Sequence, residues 1–147
     1  MDKSAVRNTL YEIEILRQRL LRPKFIDMGL TVGQGQPRIL KELRIKGGMT
    51  QRELADNCLL DVTTMSRTLD RLEQAGLIKR TNNPECRRSW IIALTDEGKK
   101  KADEAIKIFD MADEVFCTDL SDDELENLVL TAKKIQLNIE EALKQKD

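Results

Sequence analysis

Apolar side chains return every third or fourth position along most of the chain, and short apolar runs interrupt that period only at residues 77–81 and 89–94. Val6, Leu10, Ile13, Leu16 and Leu20 predict an amphipathic helix over 4–21, which Pro23 and the stretch from Gly29 to Gly35 are expected to break. A second helix starts near Pro37, whose fixed φ suits a first turn; it carries Ile39, Leu40 and Leu43 inward and stops at Gly47 and Gly48. Thr50 with Glu53 has the form of a capping box, opening a short third helix that holds Leu54 and Ala55. Asp61 is an N-cap for a fourth helix, with Val62, Met65, Leu69 and Leu72 on one apolar face and Gly76 at its end. Residues 77–81 and 89–94 read as strands turned by Asn82, Asn83 and Pro84, a hairpin with Arg87 and Arg88 at its tip. Thr95 opens a long fifth helix with Asp96 and Glu97 at its positive end and Ala102, Ala105, Ile106, Phe109, Ala112 and Phe116 inward. Ser121 and Glu124 form a second capping box, and Leu125, Leu128, Ala132, Ile135 and Ile139 follow as a seam suited to helix–helix association.

Composition removes several classes of function. With 147 residues and 40% hydrophobic content the chain is expected to be one domain with its own core. Its apolar runs fall far short of the roughly 20 residues that span a bilayer, and no signal peptide is recognisable, so a cytoplasmic protein is expected. The absence of histidine excludes Ser-His and Cys-His nucleophile pairs and the commonest zinc sites. Cys58, Cys86 and Cys117 are odd in number and far apart, which makes neither a disulfide framework nor a metal knuckle. The acidic run at residues 122–124 belongs to a helix start rather than to acid–base chemistry. No enzyme, cofactor or metal is expected.

Charge then points to a partner. Net charge is +2 over residues 1–37, +5 over 38–101 and −8 over 102–147. Such asymmetry suits a polyanion meeting the middle of the chain, although an acidic tail can also be a solvated helix face. The flanks of the fourth helix carry Thr63, Thr64, Ser66, Arg67 and Arg71, short hydroxyls and guanidinium forks that can bond base edges and phosphates. Thr50 and Gln51, where the third helix begins, are counted with them as DNA-binding candidates. Two short helices and a tight turn make a helix-turn-helix, and the hairpin that follows completes a winged helix.

At "TQRELADNCLLDVTTMSRTLDRLEQAGLIKR" followed by "NPECRRSWIIALTDEG" the chain resembles the MarR (multiple antibiotic resistance regulator) family of bacterial transcription factors. The order and spacing carry the resemblance, which extends over essentially the whole chain. The fold class expected is mostly α with a small β-hairpin wing: a winged helix-turn-helix lobe over 34–95, with N- and C-terminal dimerisation helices at 1–33 and 96–147. The resemblance implies a homodimer on a pseudo-palindromic double-stranded DNA operator, with small aromatic or lipophilic effectors relieving repression. Leu10, Ile13, Leu128, Ile135 and Ile139 are the expected dimer contacts; the seam of the last helix could equally pack within one chain. The effector residues are left open.

Arg87 and Arg88 then become wing arginines for the minor groove. The family wing reads Asp-Pro-x-Asp-x-Arg, and here Asn83 and Cys86 stand where the acids would be, so Arg88 lacks its usual brace. Cys86 beside two guanidinium groups invites a redox reading, against the simpler one of a tolerated small residue. Cys58 reads as a buried small hydrophobe, and Cys117 as a packing residue, with approach to its dimer mate as the alternative. A winged helix without a DNA role, serving as a protein-interaction module, is the alternative. Single-stranded nucleic acid is disfavoured at 3% aromatic content.

Overall fold

The computed structural model describes residues 1–31 and 35–145, so the expected boundary between residues 33 and 34 lies outside the described residues. The elements run α1 (Ser4–Asp27), α2 (Gln36–Lys46), β1 (Met49–Thr50), α3 (Gln51–Cys58), α4 (Val62–Gln74), β2 (Ile78–Asn83), β3 (Cys86–Leu94), α5 (Asp96–Phe116) and α6 (Asp122–Lys144). They divide into two compact units, Met1–Ala112 and Asp113–Asp147.

Local side-chain chemistry sets most helix starts where the sequence predicts them. Thr50 Oγ1 accepts the Glu53 N–H at 3.1 Å while the Glu53 carboxylate accepts the Thr50 N–H at 3.4 Å. Ser121 and Glu124 repeat the arrangement at 3.2 and 2.8 Å. Each box satisfies two of the amides that a helix start leaves without partners.

Helix α1 departs from expectation by running through Pro23 to Asp27. Pro23 and Arg19, whose carbonyl loses a donor, are both exposed, so water can serve the freed oxygen. Beyond the proline lie Phe25 and Leu30, both buried. Burying them returns about 1.5 to 3 kcal/mol each, which offsets the roughly 3 kcal/mol cost of an interior proline. The helix ends instead at Gly29, where φ is +85° and the Leu30 N–H closes onto the Phe25 carbonyl at 2.9 Å. That left-handed closure is one glycine adopts without a Cβ penalty.

The hairpin gains a third strand. The order is β1-β3-β2, all antiparallel, with Met49 opposite Ile92 and Ile78 opposite Leu94. At two residues β1 is too short to show a period. Both long strands extend further than predicted, so the turn is Pro84 and Glu85, and Arg87 and Arg88 stand on β3 rather than at the tip. Asn82 pairs with Trp90 but Asn83 pairs with Cys86, which leaves Arg87, Arg88 and Ser89 bulged out of the ladder. A bulge bends its strand and re-aims the side chains on it.

One core joins Phe25 of α1, Ile39, Leu40 and Leu43 of α2, Leu54 and Cys58 of α3, Met65, Leu69 and Leu72 of α4, and Ile92 and Leu94 of β3. Val62 is not part of it. The fourth member of the buried α4 face is Thr68, whose hydroxyl donates to the Thr64 carbonyl at 2.8 Å, and Val62 lies in solvent one turn before the core begins. On α5, Ala102, Ala105 and Ala112 are buried and Phe109 packs against the core as predicted, but Ile108 rather than Ile106 joins it, and Phe116 is exposed. Cys117 is exposed too, contrary to a packing role within this chain.

The start of α5 is pressed onto the turn between α4 and β2. Thr95 Oγ1 donates to the Gly76 carbonyl at 2.6 Å and accepts the Gly98 N–H at 3.0 Å, while the Thr95 N–H reaches the Leu77 carbonyl at 3.1 Å. A Cβ on Gly98 would stand 1.9 Å from that same carbonyl oxygen. Replacing an ordinary helical glycine with alanine stabilises by up to about 1 kcal/mol; at this position backbone blocks the methyl. Gly98→Ala is expected to destabilise the protein by about 1 to 3 kcal/mol, read from urea unfolding midpoints, and a variant as stable as wild type would show that α5 has room there.

Candidate nucleic-acid interface

Helix α4 is anchored by its cap and displays what the cap leaves over. Asp61 accepts the Thr64 N–H at 2.7 Å and the Thr64 hydroxyl at 2.8 Å, bonds that hold its carboxyl below the usual carboxylate range. The Thr64 hydroxyl is therefore engaged within the chain, and so is the Thr50 side-chain oxygen, the cap of α3. Gln51, in the first turn of α3, is half-buried. With its Met65–Leu72 face in the core, α4 turns two neighbouring rows outward: Thr63, Arg67 and Arg71, and beside them Val62, Ser66 and Asp70. Spacing of four residues puts each row on one line. Arg67 is exposed and, among the described residues, has neither a hydrogen bond nor an ion pair.

The wing is tied to α4 by a residue the pattern did not single out. Arg80 on β2 donates to Asp70 Oδ1 at 2.8 Å and to the Ser66 carbonyl at 3.4 Å, with Glu73 Oε1 at 3.9 Å. Its side chain is only 19% exposed. The available signal was strand alternation: Ile78 faces the core, so the second residue along, Arg80, points the same way. Arg80 is thus an internal brace.

At the far end of the hairpin Asn83 holds the turn rather than an arginine. Its Oδ1 accepts the Glu85 N–H at 3.0 Å, and its Nδ2 donates to Ser89 Oγ at 2.8 Å, which pins both sides of the bulge. Between those pins Arg87 and Arg88 are exposed, and among the described residues neither has a hydrogen bond or ion pair. Cys86 is exposed beside them. Cys58 is the opposite case: burial, reinforced by the Glu42 carboxylate, pushes its thiol up to about 11, so at neutral pH it stays protonated and behaves as a small hydrophobe.

A cleft of about 240 Å³ opens among α1, α2 and α5, floored by Leu21, Phe25 and Phe109 and edged by Arg38 and Lys41. The two phenyl rings meet at 5.1 Å and 55°, and the Lys41 ammonium stands 5.0 Å from the Phe109 centroid. Among the described residues no group of three or more acidic or thiol side chains is placed to hold a metal, and no helix is long and apolar enough to cross a membrane.

The Arg80 brace has a measurable consequence. Arg80→Met keeps the apolar stem but removes a charged bond to Asp70 and a donor to Ser66, and is expected to lower stability by about 1.5 to 3 kcal/mol. Urea unfolding checks the size, and hydrogen exchange should show the lost protection concentrated in β2. Uniform protection in the variant would mean the wing is held by backbone pairing alone.

Comparison with known proteins agrees with this geometry. The MarR family model matches residues 33–90, from the approach to α2 into β3. The transcriptional regulator HosA of Escherichia coli O111:H- is 31% identical over 100 residues, which are 68% of this chain and 74% of HosA. A putative MarR family transcriptional regulator from Listeria monocytogenes, crystallised with 26mer DNA, superposes with a TM-score of 0.77 at 25% identity over 88% of this chain and 87% of its own. The MarR protein from Peptoclostridium difficile shares the fold with a TM-score of 0.83 at 17% identity, over 100% of this chain and 94% of that one. A winged helix with an outward-facing hydroxyl and arginine row, matched in sequence across two thirds of its length, belongs to the MarR family of transcriptional regulators.

Proposed function

We propose that this protein is a cytoplasmic, ligand-responsive repressor that binds a pseudo-palindromic duplex operator as a homodimer, one winged lobe to each half-site. The observation that carries the reading is the Thr63, Arg67 and Arg71 row of α4 standing outward on the same lobe as the exposed Arg87 and Arg88 of the wing. A helix of that surface reads base edges in the major groove, while arginines on a bent ribbon suit the narrower groove beside it. Thr63, Ser66, Arg67 and Arg71 are the reading set; Thr50, Gln51 and Thr64 contribute through backbone amides and helix placement, since the Thr50 and Thr64 side chains cap their own helices.

Two further features support the dimer and the ligand. Helix α1 exposes Val6, Leu10, Ile13 and Leu16, and α6 has no buried residue, with Leu128, Leu137 and Ile139 all exposed. Apolar helix faces of this extent mark an association surface, and a second copy of the chain is the occupant proposed here. The cleft over Phe25 and Phe109 is lined by three cations, Arg17, Arg38 and Lys41, against one carboxylate, Glu42, an excess that favours a small aromatic effector bearing an acidic group.

Binding titrations on genomic duplexes over a salt series test the reading. Arg67→Ala is expected to weaken binding and relax sequence preference, by about 1 to 3 kcal/mol of discrimination. Arg87→Ala with Arg88→Ala should leave the preferred sequence in place but flatten the log-affinity against log-salt slope by roughly 0.9 for each phosphate that is no longer neutralised. Wild-type protein that shows no preference among duplexes would sink the proposal.

The assembly is tested separately. Ile135→Glu places a carboxylate on the α6 face and is expected to give monomer or insoluble protein, because an unpaired buried charge is costly. Light scattering that returns a soluble dimer of unaltered stability would move the interface elsewhere.

A further inference from the structure

The apolar period of α4 assigns Val62 to the core, yet its side chain is 73% exposed. It is the first helical residue after the Asp61 cap, and it leads the row that continues through Ser66 and Asp70. Arg80 bonds the Asp70 carboxylate and the Ser66 carbonyl further along that row, while Val62 at its leading end has no such neighbour among the described residues and is exposed. Beside Val62, at the head of the neighbouring row, stands Thr63, with Arg67 one turn behind it. An apolar, β-branched side chain with few χ1 choices is thus held at the tip of a helix whose other outward groups are polar.

We propose that Val62 is a specificity-determining residue that packs against the C5-methyl group of a thymine in the major groove. The inference rests on the DNA-regulator reading above and adds a base to it. The first residues of a recognition helix are those that approach base edges. In the major groove adenine, guanine and cytosine present hydrogen-bond donors and acceptors, and thymine alone adds a methyl. Valine can satisfy neither donor nor acceptor, so over a purine edge it would bury polar groups without a partner, and over the C5–H of cytosine it would lack the methyl to pack against. Over thymine it removes two apolar groups from water at once.

The experiment uses full-length wild-type protein and Val62→Ala with a duplex selected by the wild type from a randomised library. Single thymines in one half-site are then replaced by deoxyuridine, which deletes the methyl and leaves the hydrogen-bonding edge unchanged. Alanine at an exposed first-turn position is well tolerated by a helix, so the variant should fold. At one thymine the wild type is expected to lose about fourfold in affinity, the value of one buried methyl. The Val62→Ala protein should bind the parent duplex more weakly, with an unchanged salt slope, and should be indifferent to deoxyuridine at that position. An identical deoxyuridine profile in both proteins overturns the assignment, as does a wild type indifferent to every methyl. A wild type that selects no duplex at all refutes the regulator reading itself, a result distinct from either.

Discussion

The guanidinium of Arg80 ties the sheet to α4, through the Asp70 carboxylate and the Ser66 carbonyl. A two-stranded ribbon is marginally stable by itself, and here the outer part of β2 and β3 projects beyond the two residues of β1 that widen the sheet. Backbone pairing alone lets such a ribbon twist. A planar fork bonded at once to a carboxylate and to a main-chain carbonyl of α4 restricts both the angle and the height of the ribbon against the helix. Arg80 lies opposite Ile92, the residue that also pairs with Met49 of β1, so the brace secures the three-stranded base from which the ribbon and its bulge extend.

Charge arranges the approach to that surface. The excess of basic groups over residues 38–101 coincides with α2 to the start of α5, and the acidic excess follows it. The net charge of −1 therefore conceals a locally positive field about the winged lobe. Arg87 and Arg88, lacking an acidic brace, add to that field without being held in one geometry. Their contribution falls with salt more than that of a pre-ordered arginine.

What could be read from the sequence was whatever is decided locally. Capping boxes at Thr50 and Ser121, the Asp61 cap and the glycine stop after α2 depend on residues within a turn of one another, and the structure has them all. Pro23 misled because its local penalty is outweighed by Phe25 and Leu30, whose burial is tertiary. Val62 misled for the converse reason: its spacing fits the α4 face, but the core it should meet begins one turn later, at Met65. The bulge escaped because register between strands is invisible in a single strand's pattern. The apolar seam of α6 was legible as a surface, although periodicity does not distinguish a neighbour in the same chain from one in another. Gly98 carried no signal at all, since its reason is a carbonyl some twenty positions earlier.

The close seat of Gly98 against Leu77 has a mechanical meaning. With no gap beneath it, the first turn of α5 cannot slide over the α4–β2 turn, and the Arg44–Asp103 pair at 2.9 Å and the Lys101 bond to the Met28 carbonyl fasten the next turn to α2 and to the end of α1. The first turns of α5 are thus joined to α2, to the end of α1 and to the α4–β2 turn. A rung is missing nearby on α1, where Pro23 has no N–H to offer the Arg19 carbonyl, six residues before the helix closes at Gly29. Pro23 itself faces away from the aromatic cleft, whose α1 wall is Leu21 and Phe25, so the missing rung lies on the solvent side of the helix.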